Sequence, residues 1–222
     1  SLQSGDTVNG DDVSSNKSRN RLNGFLGRFN YNYKERYLLT ASFRYDGTSR
    51  FSDQHKYAFF PSLALAWRIT EEPFMKKFPS LSQLKLRVGY GQLGNQGISN
   101  YQTLKTLVSG GSAVFGNTLE QGVVLARLQN TNLKWETTEE SNIGIDFGVL
   151  NNRISGTIDL YSRDTKNQLF NKPLPSSIGF SSIKVNAGKV RNSGVDFTLN
   201  TVNIENAHFH WDTSLNFSYL KN

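Results

Sequence analysis

Apolar and polar residues alternate with a period of two along most of this chain, which predicts half-exposed β-strands. Eight such segments are legible. The first, residues 22–33, sets Phe25, Phe29, Tyr31 and Tyr33 on one face and Arg28, Asn30 and Asn32 on the other. A tight turn at Lys34-Glu35-Arg36 leads to the second, residues 37–46. There Tyr37, Leu39, Ala41, Phe43 and Tyr45 alternate with Thr40, Ser42, Arg44 and Asp46. The third opposes Phe59, Leu63, Leu65 and Trp67 to Ser62, Ala64, Ala66 and Arg68. Proline is awkward inside a central strand, so this one is expected to begin after Pro61. The fourth opposes Leu84, Leu86, Val88 and Tyr90 to Lys85, Arg87, Gly89 and Gly91. The fifth, residues 134–149, opposes Ile143, Ile145, Phe147 and Val149 to Asn142, Gly144 and Asp146. Ile154, Ile158 and Leu160 against Ser155, Thr157 and Asp159 make the sixth, and Val195, Phe197 and Leu199 against Asp196, Thr198 and Asn200 the seventh. In the eighth, Phe209, Trp211, Leu215, Phe217 and Tyr219 alternate with His210, Asp212, Ser214, Asn216 and Ser218.

The connections between these segments carry a second regularity. Short links follow the first, third, fifth and seventh strands, and longer ones follow the second, fourth and sixth. The stretches 94–132 and 164–189 read as long loops rich in small polar residues. Short turns at one end and long loops at the other is the wiring of an outer-membrane β-barrel, with the turns at the periplasm. The segments are also about ten residues or longer, enough to cross a bilayer at a tilt, whereas strands of globular proteins average about 5–6.

The faces fit that wiring. Arg28, Arg44, Asp46, Arg68, Lys85, Arg87 and Asp159 all fall on the polar parity and are expected to line a hydrated lumen. An Arg or Lys on the lipid face at mid-bilayer would cost roughly 2–4 kcal/mol. Glu139 departs from the rule by sharing the apolar parity of the fifth strand, and its distance from the next turn puts it at or beyond the upper interface. Aromatic residues gather at both strand ends, as interfacial girdles do. The competing reading is a soluble, secreted β-sandwich module that binds carbohydrate. That fold would be built of shorter strands and would not need its connections to alternate in length.

Composition narrows the picture further. Apolar residues, glycine not counted, make up 36% of the chain, below the roughly 45–50% of an average globular domain, a range that also counts Gly. There is no cysteine, which removes disulfides, thiolate metal sites and a cysteine nucleophile. The formal net charge of +7 is spread singly through the β pattern rather than gathered in a basic patch, so nucleic acid is not an expected partner. No apolar run is long enough for a transmembrane helix. Residues 1–18 are polar and read as an extracellular loop, and both ends read as cut from a longer protein.

Few motifs offer chemistry. Gly89-Tyr90-Gly91-Gln92-Leu93-Gly94 matches G-x-G-x-x-G, but dinucleotide binding needs a helix directly after it, and the sequence there is loop-like. His208, His210 and Asp212 share a strand parity; a solvated strand end accounts for them better than a metal. Asp6, Asn9, Asp11 and Asp12 supply oxygen ligands without EF-hand spacing, which leaves calcium binding by that loop open. Glu136, Glu139 and Glu140 lie close in sequence, but the last two alternate across a strand, so paired acid–base work is poorly supported. Neither a catalytic motif nor a cofactor site is expected.

Four segments resemble a known family. They are residues 38–51 (LLTASFRYDGTSRF), residues 84–98 (LKLRVGYGQLGNQGI), residues 132–156, which begin NLKWETT and continue through NIGIDF and NRISG, and residues 190–196 (VRNSGVD). In this order they resemble the barrel of SusC/RagA-type TonB-dependent outer-membrane transporters, over nearly the whole chain after Ser18. The resemblance implies an all-β, antiparallel, up-and-down transmembrane barrel of about 22 strands with a plug, of which this chain would supply roughly a third from the C-terminal half. It implies import of glycans, peptides or other bulky nutrients across the outer membrane of a Gram-negative, Bacteroidota-type bacterium. The implied partners are a SusD-like surface lipoprotein acting as a lid, the TonB system working through the plug, and outer-membrane lipid. Neither plug nor TonB box matches anything in the chain. Asn95, Gln96, Asn100 and Tyr101, in the loop after the fourth strand, are the candidates for contact with substrate or lid.

Overall fold

A computed structural model describes residues 17–222 apart from Asn117. The strands in chain order are β1 (Leu22–Tyr33), β2 (Tyr37–Thr48), β3 (Tyr57–Arg68), β4 (Leu81–Asn95), β5 (Thr106–Phe115) and β6 (Thr118–Arg127). They continue with β7 (Glu136–Val149), β8 (Ile154–Lys166), β9 (Leu169–Pro173), β10 (Ser182–Asn186), β11 (Lys189–Glu205) and β12 (His210–Lys221). Eight form one antiparallel sheet in the order β1-β2-β3-β4-β7-β8-β11-β12. Each is hydrogen-bonded to its neighbour in this order, an up-and-down wall left open at β1 and β12. These eight are the segments that the alternation marks. At roughly 3.3 Å per residue, a 12-residue strand such as β1 reaches about 40 Å; tilted by 45° it still rises about 28 Å, near the hydrocarbon thickness.

Register confirms the two faces. Leu65 pairs with Val88 and with Leu39, and Ile145 pairs with Leu86 and Ile158. On the other face Arg68 lies beside Lys85, which lies beside Asp146. A β-bulge between Val202 and Ile204 resets the pairing so that Ile204 meets Trp211, returning an apolar side chain to the apolar face. That face is bare: Phe25, Phe29, Leu63, Leu65, Ile145 and Phe217 are all exposed. A sandwich would need a second sheet laid over these residues, and among the described residues none covers them. Aromatic rings run along the end with the tight turns, Phe29–Tyr31–Tyr33–Tyr37–Trp67 stacking in steps of 6.3–6.4 Å. Phe43–Phe59 and Tyr45–Tyr57 pair towards the other end.

The structure corrects three expectations. First, β3 includes Pro61, paired with Phe43 of β2. Pairing with β4 starts only at Ser62, so the missing N–H falls where the β4 ladder has already ended. Second, the stretches read as loops contain hairpins, β5–β6 and β9–β10. Glycines and serines such as Ser109-Gly110-Gly111-Ser112 interrupt the alternation at a register shift in the first hairpin. Third, connection lengths do not alternate strictly. Residues 69–80 between β3 and β4 outnumber residues 49–56 between β2 and β3, but two 3-10 turns, Ile69–Glu71 and Pro73–Lys77, fold the longer link tightly.

Candidate functional site

The polar face is the concave one. A broad recess of about 1070 Å³ runs along it, floored by small residues (Ser62, Ala64, Gly89, Gly91) and flanked by Arg87 and Arg163. Its main charge cluster lies on β4, β7 and β8. The Arg87 guanidinium donates to Asp146 at 2.9 Å through Nε and to Asp159 at 3.1 Å through Nη2. Lys85 Nζ is 3.5 Å from the other Asp146 oxygen. Arg87 reaches Asp159 across β7 because residue 144 is glycine: a Cβ there would collide with Asp159 Oδ1 and lie 2.8 Å from Arg87 Nη2. A second ion pair, Arg163–Glu140 at 2.7 Å, stands nearer the long loops.

Of the other residues expected in the lumen, Arg44 pairs with Asp46 at 2.9 Å. Arg28 sits opposite Ser42 of β2 and has no ion-pair partner among the described residues. Arg68 shares the polar parity but is spent at the short-turn end, donating to Glu71 at 3.0 Å and to the Glu35 carbonyl at 3.2 Å. Asp146, which joins Lys85 to Arg87, was legible as a polar-face residue only; its bridging position needed the register.

Above the wall the long loops pack into a cap with its own core. Phe51, Phe60, Ile98, Leu133 and Trp135 are buried together, Leu133 completely. Trp135 lies 5.5 Å from both the Phe51 and Phe60 rings, and its indole N–H donates to the Lys56 carbonyl. Arg50 staples the loop after β2 to the loop after β4: its Nε donates to Asn100 Oδ1 at 3.0 Å and its Nη1 to the Gln96 carbonyl at 3.3 Å. The side chain of Thr103 donates back to the Arg50 carbonyl. Asn95 donates to Glu136, whose other oxygen accepts the Leu169 amide.

All four residues expected to meet substrate or lid therefore sit in or beside this cap. Asn95 and Asn100 spend hydrogen bonds within it; the Asn100 amide also donates to Ser18 at 2.5 Å. The Tyr101 hydroxyl accepts the Arg19 amide at 3.0 Å, and its backbone is held at a φ of 62°. Asn100 and Tyr101 border an open recess of about 740 Å³ with Ser18, Thr106 and Arg127. The Gln96 side-chain oxygen is buried without a hydrogen-bond partner among the described residues.

Two clusters went unread in the sequence. On the apolar parity beside the long loops, Asp164 accepts from Arg191 (2.6 and 2.8 Å) and faces Lys189 at 2.9 Å, while Lys166 pairs with Glu139 at 2.6 Å. Glu139 thus belongs to an outward charged band above the apolar residues. At the short-turn end Glu72 is buried, accepting from the Tyr37 hydroxyl at 2.6 Å and the Trp67 indole at 3.1 Å, with Arg36 at 3.3 Å. Those hydrogen bonds, Tyr37's first, hold its carboxyl below the ordinary value. Glu71-Glu72 offered no sequence signal separating a buried carboxylate from an exposed one.

His210 Nε2 and Asp212 Oδ2 are 2.6 Å apart, and no group of three metal-ligating side chains occurs among the described residues. The acidic loop at Asp6–Asp12 lies outside the described residues. Among the described residues no helix is long and apolar enough to cross a membrane, and β4 continues through the G-x-G-x-x-G segment.

Comparison with known proteins places this geometry. The family model described as TonB dependent receptor-like, beta-barrel matches residues 1–222. TonB-dependent receptor P3 of Formosa agariphila is 42% identical over 209 residues, covering 94% of this chain and 21% of the relative. TonB-dependent receptor SusC of Bacteroides thetaiotaomicron is 40% identical over 210 residues, covering 92% of this chain and 21% of the relative. The chain thus spans about a fifth of the length of these relatives. Among solved structures, the RagAB peptide transporter superposes with a TM-score of 0.81 at 30% identity, covering 99% of this chain and 24% of that one. The siderophore receptor PirA of Pseudomonas aeruginosa shares the fold, with a TM-score of 0.58 at 18% identity.

Proposed function

Since the chain belongs to the TonB dependent receptor-like β-barrel family, we propose that it forms part of the wall of an outer-membrane importer for bulky nutrients such as glycans or peptides. The observation that carries this reading is the division of one sheet into two solvents' faces. One face is concave and ion-paired around Arg87, Asp146 and Asp159; the other is apolar and bare.

Residues 1–222 are then a partial barrel domain, roughly a third of a wall of about 22 strands, with the plug and TonB box elsewhere in the parent protein. The short turns face the periplasm and the long loops the exterior. Arg28, Arg44, Asp46, Lys85, Arg87 and Asp159 line the lumen and bias which solutes pass, with Arg68 at its periplasmic rim. The loop cap meets cargo and a SusD-like lipoprotein lid, with Tyr101 and Asn100 beside the recess and Asn95 and Gln96 in the supporting turn. Similarity to SusC and to the RagAB peptide transporter supports the importer reading, and the latter's cargo supports the peptide option. Uptake draws its energy from TonB, and the role is transport rather than catalysis.

Membrane fractionation and uptake of the full-length parent test the proposal. The protein is expected in the outer-membrane fraction, released only by detergent. Growth on its cargo is expected to fall with Arg87→Glu or Tyr101→Ala while barrel assembly persists. Recovery as a soluble protein without detergent would overturn the reading.

A further inference from the structure

The turn between β3 and β4 carries features that a plain connector does not need. Glu72 is clasped by Tyr37, Trp67 and Arg36. Tyr37 and Trp67 belong to the outward aromatic row, so this clasp fastens the turn to the foot of the lipid-facing surface. Three backbone bonds fold residues 72–81 into a compact knuckle: the Met75 N–H donates to the Glu72 carbonyl, Phe78 to Met75 and Leu81 to Phe78. A fourth, from the Leu150 amide to the Ser80 carbonyl, ties it to the β7–β8 turn.

The knuckle displays Phe74-Met75-Lys76-Lys77-Phe78. Phe74 is 51% exposed and Phe78 60% exposed, and the two lysines between them are exposed as well. Neighbouring charges are mostly committed: Arg36 to Glu72, Arg68 to Glu71, and Lys34 over the Tyr33 ring at 5.2 Å. Lys76 and Lys77 have no ion-pair partner among the described residues. Residues 34–36 and 68–77 hold five cations against three carboxylates, a surplus equal to those two lysines.

We propose that this knuckle is a docking site for an anionic phospholipid of the periplasmic leaflet. Phe74 and Phe78 enter the interface beside the aromatic row, where rings suit the boundary between tails and headgroups. Lys76 and Lys77 meet the headgroup phosphate. A zwitterionic headgroup carries its own ammonium and leaves the two lysines without net gain; an anionic one brings a net negative charge against their surplus. A basic residue near an anionic membrane surface contributes about fivefold in binding, so the pair should give anionic lipid an advantage of tenfold or more. The inference rests on the membrane-wall reading above.

The test uses the full-length parent protein in nanodiscs of phosphatidylethanolamine with and without phosphatidylglycerol, with retained lipids counted by native mass spectrometry. Wild type is expected to retain phosphatidylglycerol preferentially. The double variant Lys76→Gln, Lys77→Gln should lose that preference while still assembling, and Lys105→Gln, in the loop ahead of β5, should keep it. Phe74→Ser with Phe78→Ser should weaken retention of both lipids. Equal retention of the two lipids by wild type overturns the proposal and favours a periplasmic protein as occupant; a preference that survives loss of both lysines overturns it too. Failure to insert into nanodiscs would instead count against the membrane reading itself.

Discussion

The wall and the loop cap bury hydrophobic surface in opposite ways. In the wall Leu65, Ile145 and Phe217 stand exposed on a bare face, and the sheet is held by backbone ladders and cross-strand pairs. In the cap Phe51, Ile98, Leu133 and Trp135 are buried against Phe60 at the top of β3, as in a small water-soluble core. One chain is thus folded for two solvents. On the proposed reading lipid surrounds the wall, so apolar side chains point outward and parity matters more than packing. Water surrounds the cap, so the hydrophobic effect gathers its apolar residues and packing matters more than parity. Substitutions of one kind should therefore act differently in the two regions.

The largest effect is expected in the cap. Trp135→Ala removes a ring packed against Phe51 and Phe60 and should cost the local fold about 3–5 kcal/mol. Protease cleavage of the long loops on intact cells should rise sharply while the barrel keeps its heat-modifiable migration on gels. Equal resistance of wild type and variant would erase the distinction between the regions. The next effect belongs to the wall. Ile145→Arg places a charge near mid-bilayer and should cost roughly 2–4 kcal/mol in denaturant unfolding from lipid vesicles. Ala64→Arg, on the concave face, should cost far less. Similar losses for both would mean that the assigned faces are wrong.

The same contrast explains what the sequence could reveal. Alternation marked all eight wall strands because a sheet with one apolar and one polar face has a period of two in every strand, and residues such as Arg44 and Asp159 fall on the polar parity. Nothing periodic marks the cap. Phe51, Ile98 and the neighbours Leu133 and Trp135 come from three separate irregular stretches and become a core only when the loops meet. Nothing in the sequence ties Asn100 to its partner Arg50, which lies fifty residues away. The hairpins β5–β6 and β9–β10 were hidden by glycine, serine and short length rather than by any contrary signal. Glu72 needed Tyr37 and Trp67 beside it before its burial made sense.

A smaller effect probes how the concave face is ordered. Gly144→Ala would force the Arg87 guanidinium and the Asp159 carboxylate apart, because the added methyl falls between them. Both are flexible and partly exposed, so the cost should be only about 0.5–1 kcal/mol. Passage of charged solutes through the parent barrel should shift more noticeably than its stability. A variant with unchanged solute selectivity would show that the Arg87–Asp159 contact does not shape the lumen.

The smallest effect concerns acid and the short-turn end, a third setting between the two. Glu72 has its carboxyl held below the ordinary value of 4.5 by hydrogen bonds from Tyr37 and Trp67. The folded form therefore favours the carboxylate more than the unfolded form does. Its contribution is complete well above pH 4.5 and is lost as pH falls through the lower folded value. Acid should thus loosen residues 69–80 before it disturbs the strands, whose ladders do not depend on that proton. Amide exchange in the full-length parent, corrected for intrinsic rates, should quicken there between pH 6 and pH 3.5, with β7 and β8 unchanged. Glu72→Gln, which can accept a hydrogen bond but cannot titrate, should flatten the response. If the turn exchanges equally at both pH values in wild type, Glu72 is a passive passenger, and the knuckle is held by its backbone bonds alone.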